Sequence, residues 1–178
     1  MTRYFLAIIP PEPIATLIDE IKQHFATEYN SKGALRSPAH ITLHMPFQWK
    51  EAKEERLVHL LAQTTKFNSF EINLNGFGAF RPKTIFIQNE HCQSLMNFQV
   101  ELSRYTKREM QLFNSTHNRG YNPHITVAFR DLKKEAFEEA WLIFEKQAFE
   151  TTFTVDSFWL LKHDGKAWQA FKQFHFDL

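Results

Sequence analysis

Two short segments carry the residues best suited to chemistry. Pro38-Ala39-His40-Ile41-Thr42-Leu43-His44-Met45-Pro46-Phe47 and Pro123-His124-Ile125-Thr126-Val127-Ala128-Phe129 both read His-Ile-Thr followed by an aliphatic residue. Each has a proline just upstream and a phenylalanine just downstream, and the two histidines are 84 positions apart. On a strand, residues i and i+2 share a face, roughly 6.5 Å apart. His40 and Thr42 therefore project together, and so do His124 and Thr126, while Ile41, Leu43, Ile125 and Val127 can enter the core. If the two strands face each other across a cleft, it holds two imidazoles and two hydroxyls with no obligatory charge.

That set suits in-line attack on a phosphodiester. One neutral imidazole takes the proton of an attacking water or hydroxyl, and the other, protonated, delivers one to the leaving oxygen. An unperturbed pKa of ~6.5 lets both forms be populated near neutrality. The threonine hydroxyls can donate hydrogen bonds to the non-bridging oxygens, where charge develops in the transition state. This chemistry needs no metal, and no cofactor is expected. A single His-x-Thr on a strand is more often structural than catalytic; two copies in matching context are much harder to dismiss. Two rival readings use the same residues. One is a protein that binds a nucleotide or RNA end without turnover, which has no need of two proton-transfer groups. The other is a structural duplication with both motifs buried.

The elements that must position these residues are legible as periodicity. Arg3 to Ile9 reads as a strand, and residues 12–29 as an amphipathic helix with Ile14, Leu17, Ile18, Ile21 and Phe25 at helical spacing. Residues 40–47 form a strand and 51–67 a helix. Phe70, Ile72 and Leu74 alternate with polar residues as a half-buried strand does. Gly76, Gly78 and Pro82 mark a turn or bulge before a strand over 84–88. A long helix follows over about 93–113, then a loop over 114–123, a strand over 124–129 and a helix over 133–149. Strands over 153–161 and 168–176 close the chain as a hairpin across residues 163–166. About seven strands and four helices, with hairpins, indicate an α+β protein with largely antiparallel sheets.

The 178 residues form one domain, 1–178, by length and by the absence of a separating linker. Lys+Arg number 21 and Asp+Glu 20, a net charge of +1, which argues against a protein that coats duplex nucleic acid through bulk charge. A nucleotide or a strand end remains a suitable partner. The 19 phenylalanines point to a core built on aromatic packing. A single cysteine, Cys92, excludes an internal disulfide and a cysteine-based zinc site. The apolar run Tyr4–Ile9 is too short for a signal sequence, and no stretch reaches the ~18 apolar residues of a membrane span. A cytoplasmic monomer without membrane contact is the expectation.

The paired motif resembles the 2H phosphoesterase superfamily, within it the 2′-5′ RNA ligase-like and cyclic phosphodiesterase group. The opening Arg3-Tyr4-Phe5-Leu6-Ala7-Ile8, followed by Pro10-Pro11 and a helix, is similar to the family's first strand and helix. Residues 76–83 followed by Thr84-Ile85-Phe86-Ile87 resemble its middle hairpin. The resemblance covers at least Arg3 to Arg130. It implies two pseudo-symmetric lobes of antiparallel sheet, helices outside and an active-site groove between. It also implies metal-free chemistry on cyclic phosphates or 2′-linked phosphodiesters of a nucleotide or RNA terminus. His40, Thr42, His124 and Thr126 match the family's catalytic positions. The first motif departs from the pattern in its continuation, His44-Met45-Pro46, where family members often have a simpler apolar one.

Four residues are candidates for substrate binding: Arg130, Arg81, His44 and Tyr121. Arg130 follows the second motif, and Arg81 sits on the middle hairpin near Lys83; either could meet a phosphate, as could Arg36. His44 shares the face of His40 if the strand is regular, ~13 Å away and too far for shared metal ligation. Tyr121, Phe80 and Trp49 could stack a base, although core packing is the commoner fate of such residues. The basic cluster Arg104, Lys107 and Arg108 is offset by Glu101 and Glu109. His24, His59, His91, His117, His163 and His175 show no usable partner spacing, and Cys92 lies in no nucleophile motif.

Overall fold

The computed structural model describes residues 1–115 and 120–177. Their elements, in chain order, are β1 (Thr2–Ile8), α1 (Ile14–Glu28), β2 (Ile41–Trp49), α2 (Glu54–Leu61), β3 (Phe70–Phe80), β4 (Thr84–Asn89), α3 (Gln93–Met110), β5 (His124–Ala128), α4 (Lys134–Phe144), β6 (Glu150–Val155), β7 (Ser157–His163) and β8 (Trp168–His175). The strands build two four-stranded antiparallel sheets, ordered β2-β1-β7-β8 and β5-β4-β3-β6. This is the expected α+β architecture. The two motif strands hold equivalent places. β2 and β5 are each an edge strand, paired with β1 and β4 respectively.

Burial follows the strand periods. In β5, Ile125 and Val127 are buried while His124 and Thr126 are half-buried. In β1 the whole run Tyr4–Ile8 is buried, as in a strand covered on both faces. Tyr4, Leu6 and Ile8 enter the main core. Phe5 and Ala7 face the other way and pack with Leu161, Trp159 and Trp168. The main core is aromatic, as the composition suggested: Phe144 of α4 meets Phe25 of α1 at 4.6 Å and Phe77 of β3 at 5.0 Å.

Several boundaries differ from the sequence expectation, the fourth helix ending at Phe144 instead of residue 149. Residues 153–161 are not one strand: β6 ends at Val155 and β7 begins at Ser157 in the other sheet. The chain crosses between sheets at Asp156, whose carbonyl accepts the Phe176 N–H at 2.8 Å. Only the polar pair Asp156-Ser157 separates the two strand-forming runs, so the sequence reads them as one strand. The second helix stops at Leu61, because the Thr64 and Thr65 hydroxyls donate back to the carbonyls of Leu61 and Ala62 in a terminal 3₁₀ turn. The third stops at Met110, where Gln111 adopts a left-handed φ of 56° and the Leu112 N–H returns to the Thr106 carbonyl. Among the described residues no helix is long and apolar enough to cross a membrane.

Candidate active site

His40 and His124 are held in the same way. The Nδ1 of His40 lies 2.7 Å from the Pro38 carbonyl, and that of His124 lies 2.7 Å from the Asn122 carbonyl. A carbonyl only accepts, so each Nδ1 carries a proton and each Nε2 is left as the exchangeable nitrogen. Each ring also rests on a phenylalanine of the neighbouring strand: His40 on Phe5 at 4.9 Å, His124 on Phe86 at 4.6 Å. Phe80 adds an edge contact to His124 at 5.2 Å. Gly78 makes room for this support, since a Cβ there would come within 2.5 Å of the Phe86 ring. Thr42 and Thr126 are half-buried, and neither hydroxyl has a hydrogen-bond partner among the described residues.

β2 and β5 belong to different sheets but come together. The Tyr121 hydroxyl, just before β5, donates to the Thr42 carbonyl at 3.0 Å. Tyr121 thus ties the two motif strands, and burial pushes its phenol pKa up. Electrostatics agree with the approach. Burial lowers the pKa of both histidines, and His40 falls to about 4 through burial first, then the charges of Lys22 and His124. Lys22 of α1 is 1% exposed. Its Nζ reaches the Asp19 carboxylate at 2.8 Å and the Ser37 carbonyl at 3.0 Å, directly under the segment that leads into His40.

A cavity of about 540 Å³ opens beside His40 and Thr42. Phe5 and Trp168 line it on the sheet side, and Phe129, Arg130 and Asp131 on the other. His124 and Thr126 are not part of its lining; they lie on β5, immediately before that second wall. Arg130 lines the cavity in a left-handed conformation with φ 60°, its guanidinium over Phe129 at 5.1 Å. The Asp131 N–H closes a tight turn around it onto the Phe129 carbonyl at 2.7 Å. The Asp131 carboxylate in turn accepts from the Ser31 hydroxyl at 3.0 Å and the Lys32 N–H at 2.8 Å. Gly33 permits that docking, because a Cβ would lie 3.0 Å from Asp131 Oδ1 and 3.1 Å from the Phe129 carbonyl oxygen.

Two expected cleft residues are placed elsewhere. In β2, His44 and Thr42 stand opposite Leu6 and Ala7, which leaves Leu43 as an extra, bulged residue. The bulge breaks the alternation and turns His44 inward, 1% exposed, edge-on to Phe47 at 5.4 Å. Its Nδ1 donates to the Met45 carbonyl at 2.8 Å, and its Nε2 is buried with no partner among the described residues. Burial pushes its pKa down. Met45 and Pro46 take its place on the cavity wall. Gln99 and Asn114 hold the bulge through the Leu43 carbonyl, at 3.3 and 2.8 Å. Arg81 is likewise drawn away, into a two-pronged bond with Glu138 of α4 at 3.0 and 2.9 Å.

The cavity also holds residues that sequence reasoning missed: Arg3, Phe5, His163, Lys166 and Trp168. Antiparallel pairing of Tyr4 with Lys162 and of His163 with Trp168 brings them together. No local spacing signals it. Trp49 instead donates to the Lys53 carbonyl at 2.9 Å. Arg104 and Arg108 are paired with Glu101 and Glu109. His117 lies outside the described residues. Among the described residues, no group of three His, Cys, Asp or Glu side chains converges as a metal site would require.

The sequence model of the 2′-5′ RNA ligase superfamily matches residues 10–167. No curated protein matches the sequence. Solved structures share the fold over nearly the whole chain. E. coli LigT complexed with 3′-AMP is 21% identical, with 99% of each chain covered and a TM-score of 0.69. LigT complexed with NADP+ is 20% identical, covering 99% of this chain and 98% of that one, with a TM-score of 0.63. TT0787 of Thermus thermophilus is 17% identical over 97% of each chain, with a TM-score of 0.66.

Proposed function

This chain belongs to the 2′-5′ RNA ligase superfamily, whose members are 2H phosphoesterases, and from that premise we propose that it is a metal-independent phosphoesterase. Its substrate is a 2′,3′-cyclic phosphate or a 2′-5′ phosphodiester in a nucleotide or at an RNA end. One observation carries the reading. Two imidazoles on neighbouring edge strands each commit Nδ1 to a backbone carbonyl at 2.7 Å and keep Nε2 for a proton. LigT, which shares the fold, is complexed in its crystals with 3′-AMP and with phosphate, ligands that carry the group this site would take.

His40 is the base and His124 the acid. The pseudo-symmetry of the motifs is broken by Lys22, whose buried charge acts on His40 and favours its neutral form. In hydrolysis of a cyclic phosphate, His40 Nε2 takes a proton from water as the water oxygen bonds to phosphorus. The P–O bond opposite breaks, and its oxygen takes the proton of His124 Nε2. The Thr42 and Thr126 hydroxyls donate to the non-bridging oxygens. Burial holds His124 below its ordinary pKa, so the substrate's own negative charge must supply the stabilisation that protonates it. Arg130, at the mouth of β5, binds the phosphate or its neighbour, and Tyr121 sets the spacing of the two motif strands.

The test is turnover of 2′,3′-cyclic nucleotides and 2′-5′-linked dinucleotides. Replacing His40 or His124 by alanine should cost ~10²–10⁴-fold each, with EDTA without effect. Tight binding with no product across that panel would establish the binding-protein reading instead, and full activity without both histidines would overturn the mechanism.

A further inference from the structure

We propose that the cavity beside His40 contains a second anion subsite, built on Arg3 and Lys166, that takes a phosphate other than the one under attack. The inference rests on the phosphoesterase reading and deepens it. It makes the substrate a ligand with at least two phosphates, such as a 5′-phosphorylated nucleotide or an oligonucleotide end.

Charge is the first argument. Four cations, Arg3, Arg36, Arg130 and Lys166, share this cavity in a chain whose net charge is +1. None of them forms an ion pair among the described residues. The one carboxylate on the wall, Asp131, is already engaged by the Ser31 hydroxyl and the Lys32 N–H. Unpaired cations gathered in one concavity repel each other, and a bound anion relieves that repulsion. A single phosphodiester carries one negative charge, so a surplus remains after the scissile group is bound.

Position is the second argument. Arg3 and Phe5 share a face of β1, roughly 6.6 Å apart along the strand, and Phe5 is the residue against His40. The Arg3 end therefore lies beyond the reacting centre and within the same hollow. Arg3 is held there from two sides. Its guanidinium sits 5.6 Å from the centre of the Trp168 ring, and its Nη2 lies 3.0 Å from His163 Nε2. Trp168 is itself fixed edge-on by Phe5 at 4.7 Å and His163 at 4.8 Å. Lys166 comes from the β7–β8 turn, which Asp164 locks by accepting the Lys166 and Ala167 N–H groups at 2.8 Å each. The turn thus fixes the Lys166 backbone while its ammonium has no partner among the described residues.

The experiment compares ligands that gain one phosphate, either alone or with the adenosine it links. Turnover is measured for adenosine 2′,3′-cyclic phosphate, for its 5′-phosphorylated form, and for ApA ending in the cyclic phosphate. Binding is measured for 3′-AMP against adenosine 3′,5′-bisphosphate. The second phosphate should raise kcat/KM, and tighten binding, by about tenfold or more at low salt. In the double variant Arg3→Gln, Lys166→Gln that ratio should collapse to about one. A gain for the 5′-phosphate alone identifies a terminal phosphate as the occupant; a gain for ApA alone identifies the strand's own diester. Equal handling of one- and two-phosphate ligands by the natural protein, or a gain that survives in the double variant, overturns the subsite. If no cyclic phosphate is turned over, the phosphoesterase reading fails, and the binding ratio still decides the subsite.

Discussion

Replacing Lys22 by methionine should raise the acid limb of the kcat/KM profile by about one pH unit. The limb reports the neutral base, and His40 is held at about 4 against an ordinary 6.5 by burial, Lys22 and His124, in that order. The magnitude follows from the chain path. Lys22 Nζ touches the Ser37 carbonyl at 3.0 Å. Three residues that bend at Ser37 and Ala39 span at most roughly 10 Å to His40. A unit charge at that distance in an effective dielectric of ~20 contributes about 1.7 kcal/mol, or about 1.2 pH units at ~1.36 kcal/mol each. That is roughly half of the gap between about 4 and 6.5, an upper share for Lys22 because burial is the first cause. Methionine keeps the length of the side chain, and Asp19, half-exposed, stays solvated without its partner. The assay is the pH dependence of kcat/KM on a cyclic nucleotide, with the His40 ring titrated in parallel by NMR. Lys22→Arg, which keeps the charge, should leave the limb where it was. The reasoning is refuted if Lys22→Met leaves the acid limb unmoved, or if the alkaline limb moves instead, which would give the base role to His124.

The cleft's supports and the buried histidines make further expectations. Gly78→Ala drives a methyl into the Phe86 ring, 2.5 Å away, so it should cost about 1–3 kcal/mol in a denaturant melt and lower kcat as the floor beneath His124 shifts. Asp131→Ala frees Ser31, Lys32 and the tight turn that aims Arg130, and should raise KM more than it lowers kcat in steady-state kinetics. Acid should destabilise the fold over a defined window. His40 is held below its ordinary value, so its stabilising contribution is complete above pH 6.5 and is lost as pH falls toward about 4. The loss reaches up to about 3 kcal/mol, with His44 and His124 adding in the same direction. Urea melts across that window should show the decline, and His40→Gln should flatten it.

The parts of this molecule governed by short-range pattern were legible in its sequence. Two-residue alternation placed Ile125 and Val127 in the core and left His124 and Thr126 together on the other face, because β5 is regular. The same rule failed four residues past His40. The bulge at Leu43 is stabilised by Gln99 and Asn114, contacts from 56 and 71 residues away that no local period reveals. Arg81 was a reasonable cation for a phosphate until α4 brought Glu138 beside it. The burial of Lys22 is likewise invisible to local pattern, since the Ser37 carbonyl that makes it tolerable comes from 15 residues along the chain, beside Asp19 on its own helix. The cationic end of the cavity assembles from Arg3, His163 and Lys166, which only sheet pairing brings together. Equivalence of the two halves, by contrast, was visible at once: the repeated motif became the same edge position in two sheets.

A crystal structure of the protein soaked with inorganic phosphate tests the central claim most directly. One anion should sit between β2 and β5, within hydrogen-bond reach of both imidazole Nε2 atoms and both threonine hydroxyls. An anion held by one motif alone, with the other ring out of reach, would contradict it.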